Sequence, residues 1–121
     1  IVDVLKEYSI KCEKANLNPA KFFLSFSPVS GFHDISFIKW LGTEITEKTK
    51  HRLKSAQNVG KESIQVITEV LNKIFNSFDD ININIPLGLN IEYITLHNLE
   101  LSRNLVNTLS ENLERYKKLL D

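Results

Sequence analysis

Residues 21–31 read Lys21-Phe22-Phe23-Leu24-Ser25-Phe26-Ser27-Pro28-Val29-Ser30-Gly31. In an extended chain, successive side chains alternate between two faces. Phe22, Leu24 and Phe26 therefore make one bulky face, and Phe23, Ser25 and Ser27 the other. A strand with apolar residues on both sides belongs to a parallel sheet covered by helices, not to a sheet with one wet face. Pro28 stops the strand, and Ser30-Gly31 opens a loop.

Helical periodicity surrounds this strand on both sides. Upstream, Ile1, Val4, Leu5, Tyr8, Cys12 and Ala15 recur at helical spacing, predicting a helix over residues 1–16 that Asn16, Asn18 and Pro19 end. Downstream, Ile35, Ile38 and Leu41 predict a short helix over residues 33–41, with Gly42 as its left-handed C-terminal residue. Thr46 is a candidate N-cap for residues 47–56. The strongest helical stripe is Ile64, Ile67, Leu71, Ile74, Phe75 and Phe78, within residues 61–78. Asp79-Asp80 ends it. Ile81, Ile83 and Ile85 then alternate with asparagines, as a short extended stretch or edge strand would. Leu89–Leu96 is a second strand candidate. Asn98 caps a last helix to about residue 120, with Leu105, Leu109, Leu113, Tyr116 and Leu120 inward. The order is helix–strand–helices–strand–helix. Long crossovers between strands imply an α/β fold of parallel βα units.

Composition narrows the function classes. At 121 residues the chain has the length of one domain, against a prior of about 100–200 residues. With 42% hydrophobic and 25% charged residues it is neither collagen-like nor wholly disordered. Fifteen basic and fifteen acidic side chains cancel, which removes the electrostatic case for a nucleic-acid or anionic-membrane partner. The single cysteine, Cys12, forms no internal disulfide, which suits a reducing, cytoplasmic compartment. No apolar run approaches the roughly 20 residues of a membrane span. There is no methionine, so the chain is expected to follow a removed leader or to be a piece of something longer.

Familiar catalytic motifs are absent. His33, His51 and His97 lack zinc-ligand spacing, so no metal is expected. Ser27 and Ser30 lack a nucleophile elbow, and no glycine-rich phosphate loop occurs. Lys48, Lys50, Arg52 and Lys54 interleave with Glu44 and Glu47, as on a solvated helix face. Two features stand out. Ser25-Phe26-Ser27-Pro28 ends the first strand, at the edge where parallel α/β folds bind ligands; alternatively, small residues there fit a crowded sheet face. Glu92 falls inside the second candidate strand, where a buried carboxylate is costly unless paired. It either faces a polar barrel interior, with Asn90 on the same side, or marks an edge strand. Where that strand leaves the sheet, Asn98 reads as an N-cap and His97 as a candidate pocket residue.

Phe22–Gly42, reading FFLSFSPVSGFHDISFIKWLG, resembles a strand, S-P-x-G, F-x-x-W-L-G stretch of the flavin-dependent methylenetetrahydrofolate reductase family. Lys61-Glu62-Ser63-Ile64 is similar to that family's E-E-S-[VI] helix start. Pro86–Leu96, reading PLGLNIEYITL, is similar to its last strand. The chain departs from the family at Thr46, where relatives often carry proline, and at residues 98–102, which lack a basic residue common there. The resemblance implies a (β/α)8 TIM barrel with FAD at its C-terminal face, NAD(P)H as co-substrate and a folate as substrate. It implies that the chain is a partial domain holding the last two strands, with the catalytic strands missing before it. Ser25, Ser27, Glu92, Thr95 and His97 are the cofactor-binding candidates this carries over. The corresponding function is part of an oxidoreductase inactive by itself; the alternative is a non-catalytic structural or assembly subunit. In both, the strands are expected to pair with a preceding segment, a second copy or a partner subunit, because unpaired edges are an aggregation hazard.

Overall fold

The computed structural model describes residues 1–81 and 84–120, without the side chains of residues 80, 81 and 118–120. Its elements run α1 (Val2–Lys14), β1 (Phe22–Phe26), α2 (Phe32–Trp40), α3 (Glu47–Ser55), α4 (Val59–Ile81), β2 (Leu87–Ile91) and α5 (Leu99–Leu120). Strands β1 and β2 pair in parallel, from Phe22 opposite Leu87 to Phe26 opposite Ile91. The α/β class and parallel pairing agree with the sequence.

Local signals account for most boundaries. Asn16 takes a left-handed φ of 55° just after α1, and Leu17 N–H donates to the Cys12 carbonyl at 2.9 Å. Gly42, at φ 90°, ends α2 in the same way. Thr46 Oγ1 accepts from Thr49 N–H at 3.2 Å, capping α3. Helix α4 starts two residues earlier than its periodicity indicates, because Asn58 Oδ1 accepts from Lys61 N–H at 2.9 Å. Gly60 fits inside that first turn, where a Cβ would lie 3.0 Å from Leu101 of α5. The helix also continues past Asp79 to Ile81.

The second strand is displaced from its expected place. It spans Leu87–Ile91 rather than residues 89–96, and just beyond it Tyr93 turns left-handed at φ 57°, which takes the chain out of extended conformation. The last rung is Glu92 N–H donating to the Phe26 carbonyl at 2.9 Å. Residues 82 and 83 of the alternating isoleucine stretch, and the Leu120 side chain, lie outside what is described; Ile85 is buried without belonging to a strand.

One face of the sheet carries the main core. Phe22, Leu24, Phe26, Leu87, Leu89 and Ile91 pack with Leu5 of α1, with Leu71, Ile74 and Phe78 of α4, and with Leu105 and Leu109 of α5. A smaller core of Val29, Ile35, Ile38 and Leu53 joins α2 to α3. The expectation that both faces are covered fails within this chain: Phe23 is 63% exposed, and Ser25 and Asn90 are exposed beside it. Phe23 instead lies across Gly88, where a Cβ would meet its ring at 2.5 Å. No helix among the described residues is long and apolar enough to cross a membrane.

The charges on α3 form more than a solvated face. Arg52 Nη1 and Nη2 donate to both carboxylate oxygens of Glu69, at 2.6 and 2.9 Å, and Arg52 Nε donates to Glu62. This clamps α3 to α4. The hydrogen bonds from Arg52 hold the Glu69 carboxyl below its ordinary pKa. A depressed carboxylate contributes stability above its unfolded pKa, and that contribution is lost as pH falls through the folded value. The melting temperature of the wild type should therefore drop on acidification below the ordinary carboxylate range, and Arg52→Leu should flatten part of that drop. Parallel pH–melting curves for the two proteins would disprove the clamp.

Candidate functional site

The uncovered sheet face changes character along its length. At the amino end of the strands lies the Phe23 ring over Gly88. At the carboxyl end lies a polar cluster. Asn90 Nδ2 donates to Ser25 Oγ at 3.3 Å and to Glu92 Oε1 at 3.1 Å. The parallel register makes this possible: Ser25 sits opposite Asn90, and Glu92 follows two residues later on the same side.

Ser25 and Glu92 border a cleft of about 440 Å3, and Asn90 joins them from just outside it through its two hydrogen bonds. Ser25, Ser27 and Glu92 line its sheet side. Ile38, Ile45 and Leu53 supply one wall from α2, α3 and their connection, and Ser63, Val66 and Ile67 of α4 supply another. Ser63 Oγ accepts from Val29 N–H at 2.8 Å, fixing the loop after β1 against α4. Apolar walls with a few convergent polar groups are what small-molecule sites offer.

Three of the five candidate residues thus come together: Ser25, Ser27 and Glu92. The other two do not line the cleft. Thr95 N–H donates to Asn98 Oδ1 at 2.7 Å and Thr95 Oγ1 accepts from Asn98 N–H at 3.3 Å, so Thr95 organises a turn. His97 is exposed outside the cleft. The placing of Glu92 needs correction. It is exposed just beyond the strand end rather than buried within a strand, so its charge incurs little burial penalty.

Three contributors escape the sequence reading. Asp34 is 4% exposed, and its Oδ2 accepts from Ser30 N–H at 2.7 Å, Ser30 Oγ at 2.6 Å and Gly31 N–H at 3.3 Å. The signal for it is an acid three residues past the N-cap Gly31. Asn98, 1% exposed, is a hub rather than a simple cap. The left-handed Tyr93 has no sequence signal, since a bulky residue rarely adopts that conformation.

The chemistry of the cleft restricts what fits. Its ionisable lining residues, Glu44 and Glu92, are both acidic. Just before α2, the Ser30 and Gly31 amides already donate to the Asp34 carboxylate, which places a negative charge where a helix amino end would otherwise receive a phosphate. A diphosphate, as in FAD or NAD(P)H, finds no cation here and faces carboxylates. A neutral heterocycle rich in N–H donors suits Glu92, Asn90 and Ser25. No group of three or more His, Cys, Asp or Glu among the described residues could hold a metal ion.

Two parallel strands and five helices define the class: an α/β protein with a polar cluster at the carboxyl ends of its strands. No family model matches the chain. No curated protein matches its sequence. The chain is similar in fold to a solved structure described as an uncharacterized protein from Clostridium thermocellum that binds two copies of 5-methyl-5,6,7,8-tetrahydrofolic acid. The TM-score is 0.65 at 19% identity, over 85% of this chain and 36% of that one. The chain therefore spans about a third of the length of the structure it matches.

Proposed function

We propose that this chain forms part of a parallel βα barrel and binds a reduced folate through Ser25, Asn90 and Glu92. The observation that carries the reading is the gradient on the open sheet face, apolar at Phe23 and polar at Ser25, Asn90 and Glu92. A barrel interior has packed layers below and ligand groups at the strand carboxyl ends. The folate comes from the fold neighbour that binds 5-methyl-5,6,7,8-tetrahydrofolic acid. Its pterin ring carries an amino group and ring N–H donors, which a carboxylate and a carboxamide accept and orient. Further strands, from the same polypeptide or another, complete the sheet along its open edges.

The wider reading, an FAD-dependent reductase using NAD(P)H, draws on the sequence resemblance and gains no support from the cleft. If flavin is bound, other segments hold its diphosphate. Titration calorimetry of the chain with 5-methyltetrahydrofolate tests the proposal. Saturable one-site binding is expected, while FAD added separately leaves the protein colourless after gel filtration. Absence of folate binding overturns the folate reading. Co-elution of stoichiometric yellow flavin overturns the exclusion of its diphosphate from this site.

A further inference from the structure

The chain leaves the sheet at Glu92 and immediately enters an unfavourable conformation. Tyr93 has φ 57°, a region that a bulky residue enters only when its surroundings over-determine it. Two contacts do so. Asn98 Nδ2 donates to the Tyr93 carbonyl at 2.8 Å. The Tyr93 ring stacks on Phe37 of α2, with centroids 4.4 Å apart and planes 22° apart. Asn98 is itself fixed: its Oδ1 accepts from Thr95 N–H at 2.7 Å and from the buried Ser102 Oγ at 3.2 Å. All three hydrogen bonds of the Asn98 side chain therefore converge on the six-residue turn that follows Glu92, or on the helix it enters.

Stored strain beside a candidate ligand group points to a positioning device. Were Tyr93 to relax, the direction of the chain leaving Glu92 would change, and with it the aim of the carboxylate toward Asn90 and the cleft. We infer that Asn98 is a positioning residue for Glu92, acting through the left-handed Tyr93. This rests on the folate reading for its effect on affinity, but not for its effect on the turn.

Asn98→Asp separates the two halves of the asparagine. It keeps an acceptor for Thr95 N–H and Ser102 Oγ but replaces the donor to the Tyr93 carbonyl with a repelling oxygen. The Asn98→Asp chain is expected to bind 5-methyltetrahydrofolate at least tenfold more weakly, and its Glu92 amide, which donates to the Phe26 carbonyl, should exchange at least tenfold faster. Glycine adopts the left-handed region without steric penalty. Adding Tyr93→Gly to Asn98→Asp should then restore much of both losses, a rescue that general destabilisation would not give. Wild-type affinity in Asn98→Asp, or no recovery in the double variant, overturns the inference. If the wild type binds no folate, the functional reading above fails, and amide exchange alone decides: unchanged Glu92 exchange in Asn98→Asp overturns the positioning role.

Discussion

On the proposed folate reading, Glu92→Gln is expected to weaken binding of 5-methyltetrahydrofolate by about tenfold to a hundredfold, the range for losing a charge-assisted hydrogen bond. The substitution keeps size and one acceptor oxygen. It replaces the other oxygen with a donor, which opposes the N–H groups of a pterin edge. It also removes the negative charge that Asn90 Nδ2 addresses at 3.1 Å. Because Glu92 is exposed in the unliganded chain, the change has little effect on folding. Affinity and stability therefore separate: calorimetry should show the loss while the melting temperature stays put. Glu100→Gln is the matched control. That residue lies on the first turn of α5, outside the cleft, in a 3.5 Å ion pair with Arg103. Equal affinity of Glu92→Gln and wild type would remove Glu92 from the site.

Legibility in the sequence followed the range of the forces involved. Helix α4 is readable because its stripe, Ile64 to Phe78, faces a single core at helical spacing. The caps at Thr46 and Gly42 are readable because a cap is a local hydrogen bond or a local φ. The end of β2 is not. Alternation continues past Ile91 to Tyr93, and the strand stops where Tyr93, held by Asn98 and Phe37, turns left-handed. Arg52 reads as solvated because its partners, Glu62 and Glu69, lie ten and seventeen residues away on another helix. Within the site, strand alternation put Ser25 on the face of Phe23 and Ser27, and Asn90 on the face of Glu92; the parallel register, Ser25 opposite Asn90, is what joins the two groups. It could not reveal that this face is open, since that depends on which strands lie alongside.

Phe78 and Phe23 turn that last point into a measurement. Both are phenylalanines, one on each side of the sheet. Phe78 is 1% exposed in the core between sheet and helices, and Phe23 is 63% exposed on the open face. Removing a fully buried phenylalanine typically loses about 3–5 kcal/mol, combining lost transfer energy with an unfilled cavity. Total stability of a domain is only about 5–15 kcal/mol, and small domains lie toward the low end. Phe78→Ala should therefore leave the chain largely unfolded or close to it, seen as a collapse of the denaturation midpoint. Phe23→Ala in the chain alone should change stability by less than about 1 kcal/mol, as exposed substitutions do. The pair reports on the open face directly. If Phe23→Ala also loses several kcal/mol, and the loss grows with protein concentration, another copy covers that face in solution. If it stays near neutral at all concentrations, the face is wet in the isolated chain. In the proposed barrel, Phe23 would then become buried only against strands supplied by another part of the assembly, and its truncation would weaken that association rather than the fold.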